Sequence, residues 1–188
     1  ALGQVLVSRS KDAAALIQFQ KAIEVSPWDP ALWDGVVEIH RRAGRFGEAA
    51  AARLLACRAR PVEFACWGEA AVLYRQAGDA VTAERARTNI VESAPDEADA
   101  HEALARILQG EGRWNDAMGR WGQVTRLREG APGGWLGMAS AAVEAKVWDE
   151  AERAVDHILS RTWPQIFQGV VIEAQSLKRA IDSRRRKP

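Results

Sequence analysis

Apolar residues recur three, four and seven positions apart along most of the chain, which is the period of one face of an α-helix. In the stretch WDGVVEIH, the side chains of Trp33, Val36, Val37 and His40 share such a face. Gly44 then predicts the end of this helix, because glycine tolerates the backbone angles of a tight reversal. A second helical stretch follows from about residue 47, so the local pattern predicts a pair of helices.

This helix pair repeats at a fixed spacing. The segments RRAGRFGEA, RQAGDAVTA, QGEGRWNDA and VEAKVWDEA begin at positions 41, 75, 109 and 143, so the interval between them is constant. When the repeats are aligned, four columns of residues agree without any insertion. His101 stands in the tryptophan column and Lys146 in the glycine column, where the repeated residue is missing. The aligned residues are Trp33, Trp67 and Trp135; Gly44, Gly78 and Gly112; Ala49, Ala83, Ala117 and Ala151; and Pro27, Pro61 and Pro95.

The repeated residues resemble the tetratricopeptide repeat, a 34-residue pair of helices with conserved Trp, Gly, Ala, aromatic and Pro positions. WGEAAVLY, at 67–74, matches the first helix, and Ala117 with Trp121 matches the second. Ala15 with Phe19 also matches the second helix. Arg53 and Arg87 depart from the pattern, because each stands where an aromatic residue is usual.

The resemblance implies an all-α, right-handed superhelical solenoid of antiparallel helix pairs. We predict one continuous solenoid with a truncated leading repeat at 1–28 and four full repeats at 30–61, 64–95, 98–129 and 132–162. A capping helix at 164–182 and a basic tail at 183–188 follow. The apolar stripe of the last helix supports a cap, although a further repeat is the alternative. That stripe consists of Ile166, Phe167, Val170, Val171, Ala174, Leu177 and Ile181.

Composition and charge narrow the function classes. The chain is 47% hydrophobic and 27% charged with a net charge of +1, so no global field favours nucleic acid or membranes. No apolar run reaches the roughly 18 residues needed to span a bilayer. The chain shows no signal pattern, which favours a cytoplasmic location. Its first residue is Ala1 and not Met, which leaves a removed signal or anchor open.

Catalytic and metal-binding motifs are missing from the sequence. There is no P-loop, no G-x-S-x-G and no H-E-x-x-H motif, and the three histidines have no zinc-type spacing. For Cys57 and Cys66, two separate thiols packed in helices are favoured over a disulfide. We therefore expect a chain without catalytic activity, cofactor or metal.

The resemblance implies a groove lined by the first helix of each repeat, which suits a peptide or a partner helix. The family's clamp for acidic chaperone tails uses Lys and Asn in these columns, and this chain has no such pair. We expect a protein partner with a basic and an apolar part, and no nucleic acid. The alternatives are an arm of a larger enzyme, such as a glycosyltransferase, or a self-assembling scaffold. The predicted groove residues are Asp34, Glu38, Arg41, Glu69, Val72, Arg75, Glu102, Arg106, Gln109, Leu136 and Ser140.

Overall fold

The computed structural model describes residues 12–60 and 63–185, and every regular element within them is helical. The all-α prediction is therefore confirmed. The start of the leading repeat, the column residue Pro61 and the end of the basic tail lie outside the described residues. The helices are α1 (Asp12–Val25), α2 (Pro30–Arg42), α3 (Phe46–Ala59), α4 (Phe64–Gln76), α5 (Ala80–Glu92), α6 (Ala98–Gly110), α7 (Trp114–Leu127), α8 (Gly133–Glu144), α9 (Trp148–Leu159) and α10 (Gln168–Arg185), with a short 3-10 turn at Gln165–Phe167.

The chain forms two compact units, Ala1–Ala94 and Pro95–Pro188, which divide between two predicted repeats. In the first unit, each helix from α1 to α5 packs against its neighbour in sequence. In the second unit, α6 to α10 pack in the same way, and α10 also contacts α8. Both units are therefore stacks of sequential helices, which is the contact pattern of helical repeat proteins.

In the described part of the chain, the four turns between paired helices share one hydrogen-bond pattern. Gly44 has a φ of 71°, its amide donates to the carbonyl of Arg41, and the amide of Arg45 donates to the carbonyl of His40. These two hydrogen bonds form the Schellman motif, which satisfies the last carbonyls of a helix. Gly78 and Gly112 repeat it with φ values of 84° and 72°. The glycine column therefore exists because the turn needs a left-handed residue.

Lys146 occupies the same left-handed position at the fourth turn, with a φ of 61°. Its amide donates to the carbonyl of Val143, and the amide of Val147 donates to that of Ala142, so the motif is intact. A side chain in this conformation costs free energy that glycine avoids. The turn is therefore held in place by its surroundings rather than by the preference of its own residue.

The alanine column marks where paired helices cross. Ala49, Ala83, Ala117 and Ala151 are each at most 1% exposed. A methyl side chain allows two helix backbones to approach closely, so that larger neighbours interlock around the crossing. The prediction that these alanines form the core of each pair is confirmed.

Between successive pairs, an aromatic ring lies against a glycine. A Cβ atom added at Gly35 would lie 2.3 Å from the ring of Phe19, and one added at Gly137 would lie 2.4 Å from the ring of Trp121. Both rings are buried. The two pairs occupy the same columns of the repeat, three repeats apart. Glycine is needed here because the ring fills the space of its missing side chain.

The tryptophan column has a polar role as well as an apolar one. The indole Nε1 of Trp33 donates to the carbonyl of Pro27 at 2.8 Å. His101 stands in the same column, and its Nε2 lies 2.8 Å from the carbonyl of Pro95. Histidine with a proton on Nε2 can therefore replace the indole donor. In both repeats this bond ties the start of the first helix to the proline that precedes it.

The last helix begins later and ends later than predicted. Pro164 precedes the 3-10 turn, α10 begins at Gln168, and the helix continues through Arg185 into the segment expected to be a tail. Ala174 and Ile181 are buried, whereas Ile166 is 85% exposed because it lies in the 3-10 turn. Lys178 pairs with Glu152 and Asp156 of α9 at 2.7 and 3.0 Å.

The outward side of α10 is largely polar. Glu173, Gln175 and Ser176 are exposed along it, and Ile172, which is 54% exposed, is an apolar exception. A terminal helix with a polar outer side covers a repeat stack without inviting a further repeat. We keep the cap as our interpretation of α10 on this ground.

We expect Gly137→Ala to lower the free energy of unfolding of the second unit by about 1–3 kcal/mol, because the new methyl group meets the ring of Trp121. Gly119→Ala is the matched control, since it lies in α7 with no atom within 4 Å of the added Cβ. That change should raise stability by about 0.5–1 kcal/mol. Urea unfolding followed by circular dichroism compares them, and equal shifts would contradict the ring-on-glycine contact.

Lys146→Gly should raise the free energy of unfolding by about 0.5–1 kcal/mol, because it removes the cost of a side chain in the left-handed region. Lys146→Ala keeps that cost and should give no gain. Thermal and urea unfolding of the three proteins measures the difference. A gain from alanine as large as that from glycine would show that the lysine side chain, not the backbone angle, is responsible.

Candidate binding surfaces on the first helices

The predicted groove residues of the first unit lie on α2 and α4. Asp34, Glu69, Val72 and Arg75 are exposed, as is Arg41, while Glu38 is half-buried. The opposite sides of these helices carry buried residues such as Ile39 and Leu73. The sequence pattern thus separated core and surface positions on both helices. We call these six predicted residues the first-unit face.

Arg53 of α3 joins the two helices that carry the first-unit face. Its Nη1 lies 2.6 Å from Oδ1 of Asp34 in α2, and its Nε lies 3.1 Å from Oε2 of Glu69 in α4. The Arg53 side chain is only 15% exposed, whereas both carboxylates are more than half exposed. The largely buried guanidinium of Arg53 therefore links α3 to both α2 and α4, and the two carboxylates that it contacts lie at the surface.

Arg53 and Glu69 stand in the columns that hold a ring and a glycine at two other junctions. The corresponding pairs are Phe19 with Gly35, one repeat earlier, and Trp121 with Gly137, two repeats later. Where the ring is replaced by Arg53, the glycine is replaced by a residue that pairs with the arginine. Arg53 departs from the family pattern in the sequence, but its partnership with Glu69 was not predicted. The sequence does carry a signal for this partnership, because the two residues of each of the three pairs are separated by the same number of positions.

A disulfide joins α3 to α4 at the same junction. Cys57 and Cys66 are bonded with their Cα atoms 5.5 Å apart, and both are buried. The expectation of two separate thiols was wrong. Cys57 lies in the last turn of α3 and Cys66 in the first turn of α4, so the antiparallel reversal between them brings the two side chains together. That proximity depends on how the chain turns, which the spacing does not specify.

A shallow pocket of about 380 Å³ opens over this junction. Its charged lining combines two arginines with three carboxylates, and Cys66 also lines it. Arg60 forms an ion pair with Glu63 at its edge. The charged residues and the cysteine that line it are Asp34, Arg53, Arg60, Glu63, Cys66 and Glu69.

The other predicted acid of α2 is also engaged within the chain. Oε2 of Glu38 accepts from Nη2 of Arg41 at 2.7 Å, and its Oε1 lies 3.8 Å from Arg42. Arg42 in turn pairs with Asp12 of α1 at 2.9 Å. Exposed ion pairs of this kind are worth about 0–1 kcal/mol. The surface is therefore less acidic than its carboxylates suggest, and its ion pairs are weak enough to exchange.

In the second unit, Glu102, Arg106 and Gln109 lie on α6, and Leu136 and Ser140 lie on α8. Arg106 is exposed and the other four are half-buried. We call these five predicted residues the second-unit face.

Glu102 is held between two arginines. It lies 2.6 Å from Arg106 and 3.2 Å from Arg128, which also contacts Asp99 at 2.6 Å. The hydrogen bond to Asp99, with help from Glu102, raises the pKa of Arg128. The guanidinium is therefore charged at any physiological pH.

Among residues 12–60 and 63–185, no group of His, Cys, Asp or Glu side chains is arranged to hold a metal ion. The same part of the chain has no helix with both the length and the apolar character required to cross a bilayer. Two junction tryptophans differ in exposure. Trp28 is 68% exposed, whereas Trp163 is partly buried and donates from its Nε1 to the carbonyl of Ile158 at 2.8 Å.

Comparison with solved structures identifies the fold. YrrB, described as "a TPR protein with an unusual peptide-binding site", aligns over 94% of this chain and 88% of its own, with 16% identity and a TM-score of 0.52. A chain of the Naa15/Naa10 complex bound to HypK-THB aligns over 99% of this chain and 29% of its own, with 16% identity and a TM-score of 0.57. TTC0263, a TPR protein of Thermus thermophilus, aligns over 94% of this chain and 95% of its own, with 21% identity and a TM-score of 0.47.

No protein-family model and no curated protein matches the sequence. The likeness is therefore one of structure, and it agrees with the repeated columns and the Schellman turns. The chain has the tetratricopeptide-repeat fold, as the sequence resemblance predicted.

The exchange of a ring and glycine for Arg53 and Glu69 predicts a coupled pair. Arg53→Phe alone should be destabilising, because the new ring would meet the Glu69 side chain. Glu69→Gly alone should cost about 1 kcal/mol, since glycine weakens a helix. The double variant Arg53→Phe/Glu69→Gly recreates the Phe19–Gly35 contact. We expect it to be more stable than the sum of the single changes by about 1 kcal/mol or more.

Urea unfolding of the four proteins gives this coupling as a double-mutant cycle. Arg53→Phe combined with Glu63→Gly is the matched control, because Glu63 pairs with Arg60 rather than with Arg53. Strictly additive free energies in the first cycle would show that the two columns do not exchange as a pair.

Proposed function

We propose that this chain is a non-catalytic protein-interaction module that binds a partner segment, either an extended peptide or a helix, in the groove lined by its first helices. The recognised segment would combine basic and apolar side chains. The observation that carries this proposal is the surroundings of Val72 on α4. This apolar side chain is 42% exposed and lies one helical turn from Glu69 on one side and from Arg75 on the other.

The ion pairs of the first-unit face refine the electrostatic part of the proposal. Asp34 and Glu69 share one guanidinium, and in the described contacts each uses one carboxylate oxygen for it. Two carboxylates against one arginine leave a net negative charge at the junction. A partner's guanidinium or ammonium group would balance this charge, and the weak surface pairs permit the exchange.

The solved structures support the same class of function. YrrB is described with a peptide-binding site, and the Naa15/Naa10 complex is described with HypK-THB bound to it. We take binding of a protein segment from these proteins of the same fold as a working hypothesis for this chain. The fold also allows it physically, because core columns occupy one side of each first helix and leave the other side free to vary.

Titration with four labelled twelve-residue peptides tests the proposal by fluorescence anisotropy. Each peptide is built from two residue types. The four are an Arg/Leu peptide, a Glu/Leu peptide, an Arg/Ser peptide and a Ser/Gly peptide. We expect the Arg/Leu peptide to bind most tightly. Reversing Glu38 and Glu102 to arginine should weaken it by about fivefold to tenfold, because a charge at a binding surface is worth on the order of 1 kcal/mol.

Glu92→Arg is the matched control, since Glu92 is exposed on α5, a second helix outside the proposed faces. It should leave the affinity unchanged. Tighter binding of the Glu/Leu peptide, or an equal effect of the control, would reject the proposed surface.

A further inference from the structure

We propose that the Cys57–Cys66 disulfide is a redox-sensitive tether of the α3–α4 junction, so that its reduction loosens the first-unit face while the second unit stays intact. The loosening rests on the structure of the junction alone. Its consequence for binding rests also on the proposed function above.

The α3–α4 junction differs from two other junctions between successive pairs. At α1–α2 and α7–α8, a buried ring fills the space above a glycine, and the ring of Trp121 is 5% exposed. At α3–α4, the same two columns hold Arg53 and Glu69. An ion pair with an exposed carboxylate contributes less than a buried ring, and salt screens it further. The apolar contribution is therefore reduced at this junction.

The disulfide lies at the junction where the ring and the glycine are replaced. It links the last turn of α3 to the first turn of α4 across a loop with a sequence separation of 9. The Cys66 sulfur lies 3.6 Å from the carbonyl oxygen of Arg53, so the covalent bond and the Arg53 bridge are adjacent. No cysteine occurs in the second unit. The covalent bond thus supplements the junction where the ring is missing.

The tether controls the spacing of the first-unit face. Asp34 is on α2 and Glu69 is on α4, and both reach the same guanidinium on α3. A small movement of α4 away from α3 would separate Glu69 from Arg53 and displace Val72, which is on the same helix. Loss of the bond therefore alters the charge and the apolar contact of the face together.

Cys66 is only 7% exposed but lines the shallow pocket, so this pocket is the route by which a reductant reaches the otherwise buried bond. A thiolate of a dithiol reductant attacks the Cys66 sulfur, the sulfur–sulfur bond breaks, and the Cys57 thiolate leaves and takes a proton. The second thiol of the reductant then attacks the mixed disulfide, which releases Cys66 as a thiol and the reductant as its own disulfide. The protein gains two electrons and two protons in all.

Hydrogen–deuterium exchange of the whole chain, with and without dithiothreitol, tests the tether. Peptides covering 54–70 contain the junction, and peptides covering 122–138 contain the corresponding columns of the second unit. We expect reduction to increase exchange by about tenfold or more in 54–70, because a loop-closing bond restrains the opened chain. Exchange in 122–138 should stay unchanged. The double variant Cys57→Ala/Cys66→Ala should match the reduced protein, and the reduced native sequence remains informative if that variant does not fold.

Two results would overturn the tether. Unchanged exchange in 54–70 after complete reduction would show that the bond does not restrain the junction. Equal increases in both windows would show a global loss of stability instead of local loosening. In a parallel titration, reduction should weaken binding of the Arg/Leu peptide several-fold. If exchange rises locally but affinity is constant, the tether stands and the proposed first-unit face is rejected.

Discussion

The close crossing of paired helices at buried alanines governs the geometry of both stacks. The alanine of this column is buried in each pair, and a small side chain there allows two helix backbones to approach closely. Because each helix contacts mainly its sequence neighbours, the crossing sets the position of the next turn and the next helix. The same residue is therefore needed once per repeat, and the constant period follows from the geometry of one unit.

Within this constraint, the chain varies its contacts by exchanging whole pairs. A ring over glycine becomes an arginine paired with a glutamate, and an indole donor to a proline carbonyl becomes a histidine donor to the same position. In each case the replacement keeps the space filled or the carbonyl bonded. Lys146 replaces the turn glycine without a compensating change at a second position. Its turn keeps both hydrogen bonds, although the φ of Lys146 is unfavourable for a residue with a side chain.

The binding surfaces arise from what the core leaves unused. One side of each first helix is committed to packing, so its outer side can carry charge and isolated apolar groups without affecting the fold. Arg53 connects these two roles, because its guanidinium replaces a core ring and also organises two surface carboxylates. At α3–α4 the charge of the surface and the packing of the two helices therefore depend on the same residue. The neighbouring disulfide adds a covalent bond that a reductant can break.

The helix pairs, the turns and the alanine core could all be predicted from the amino-acid sequence, because they depend on residues close in the chain and on a period that repeats them. The same pattern distinguished the buried positions of α2 and α4 from their exposed ones. The Cys57–Cys66 bond, the Arg53 bridge and the Arg128 contact of Glu102 could not be predicted, because they depend on distances between side chains on different helices. The start of α10 at Gln168 was likewise settled by packing, since the apolar stripe alone did not separate the 3-10 turn from the helix.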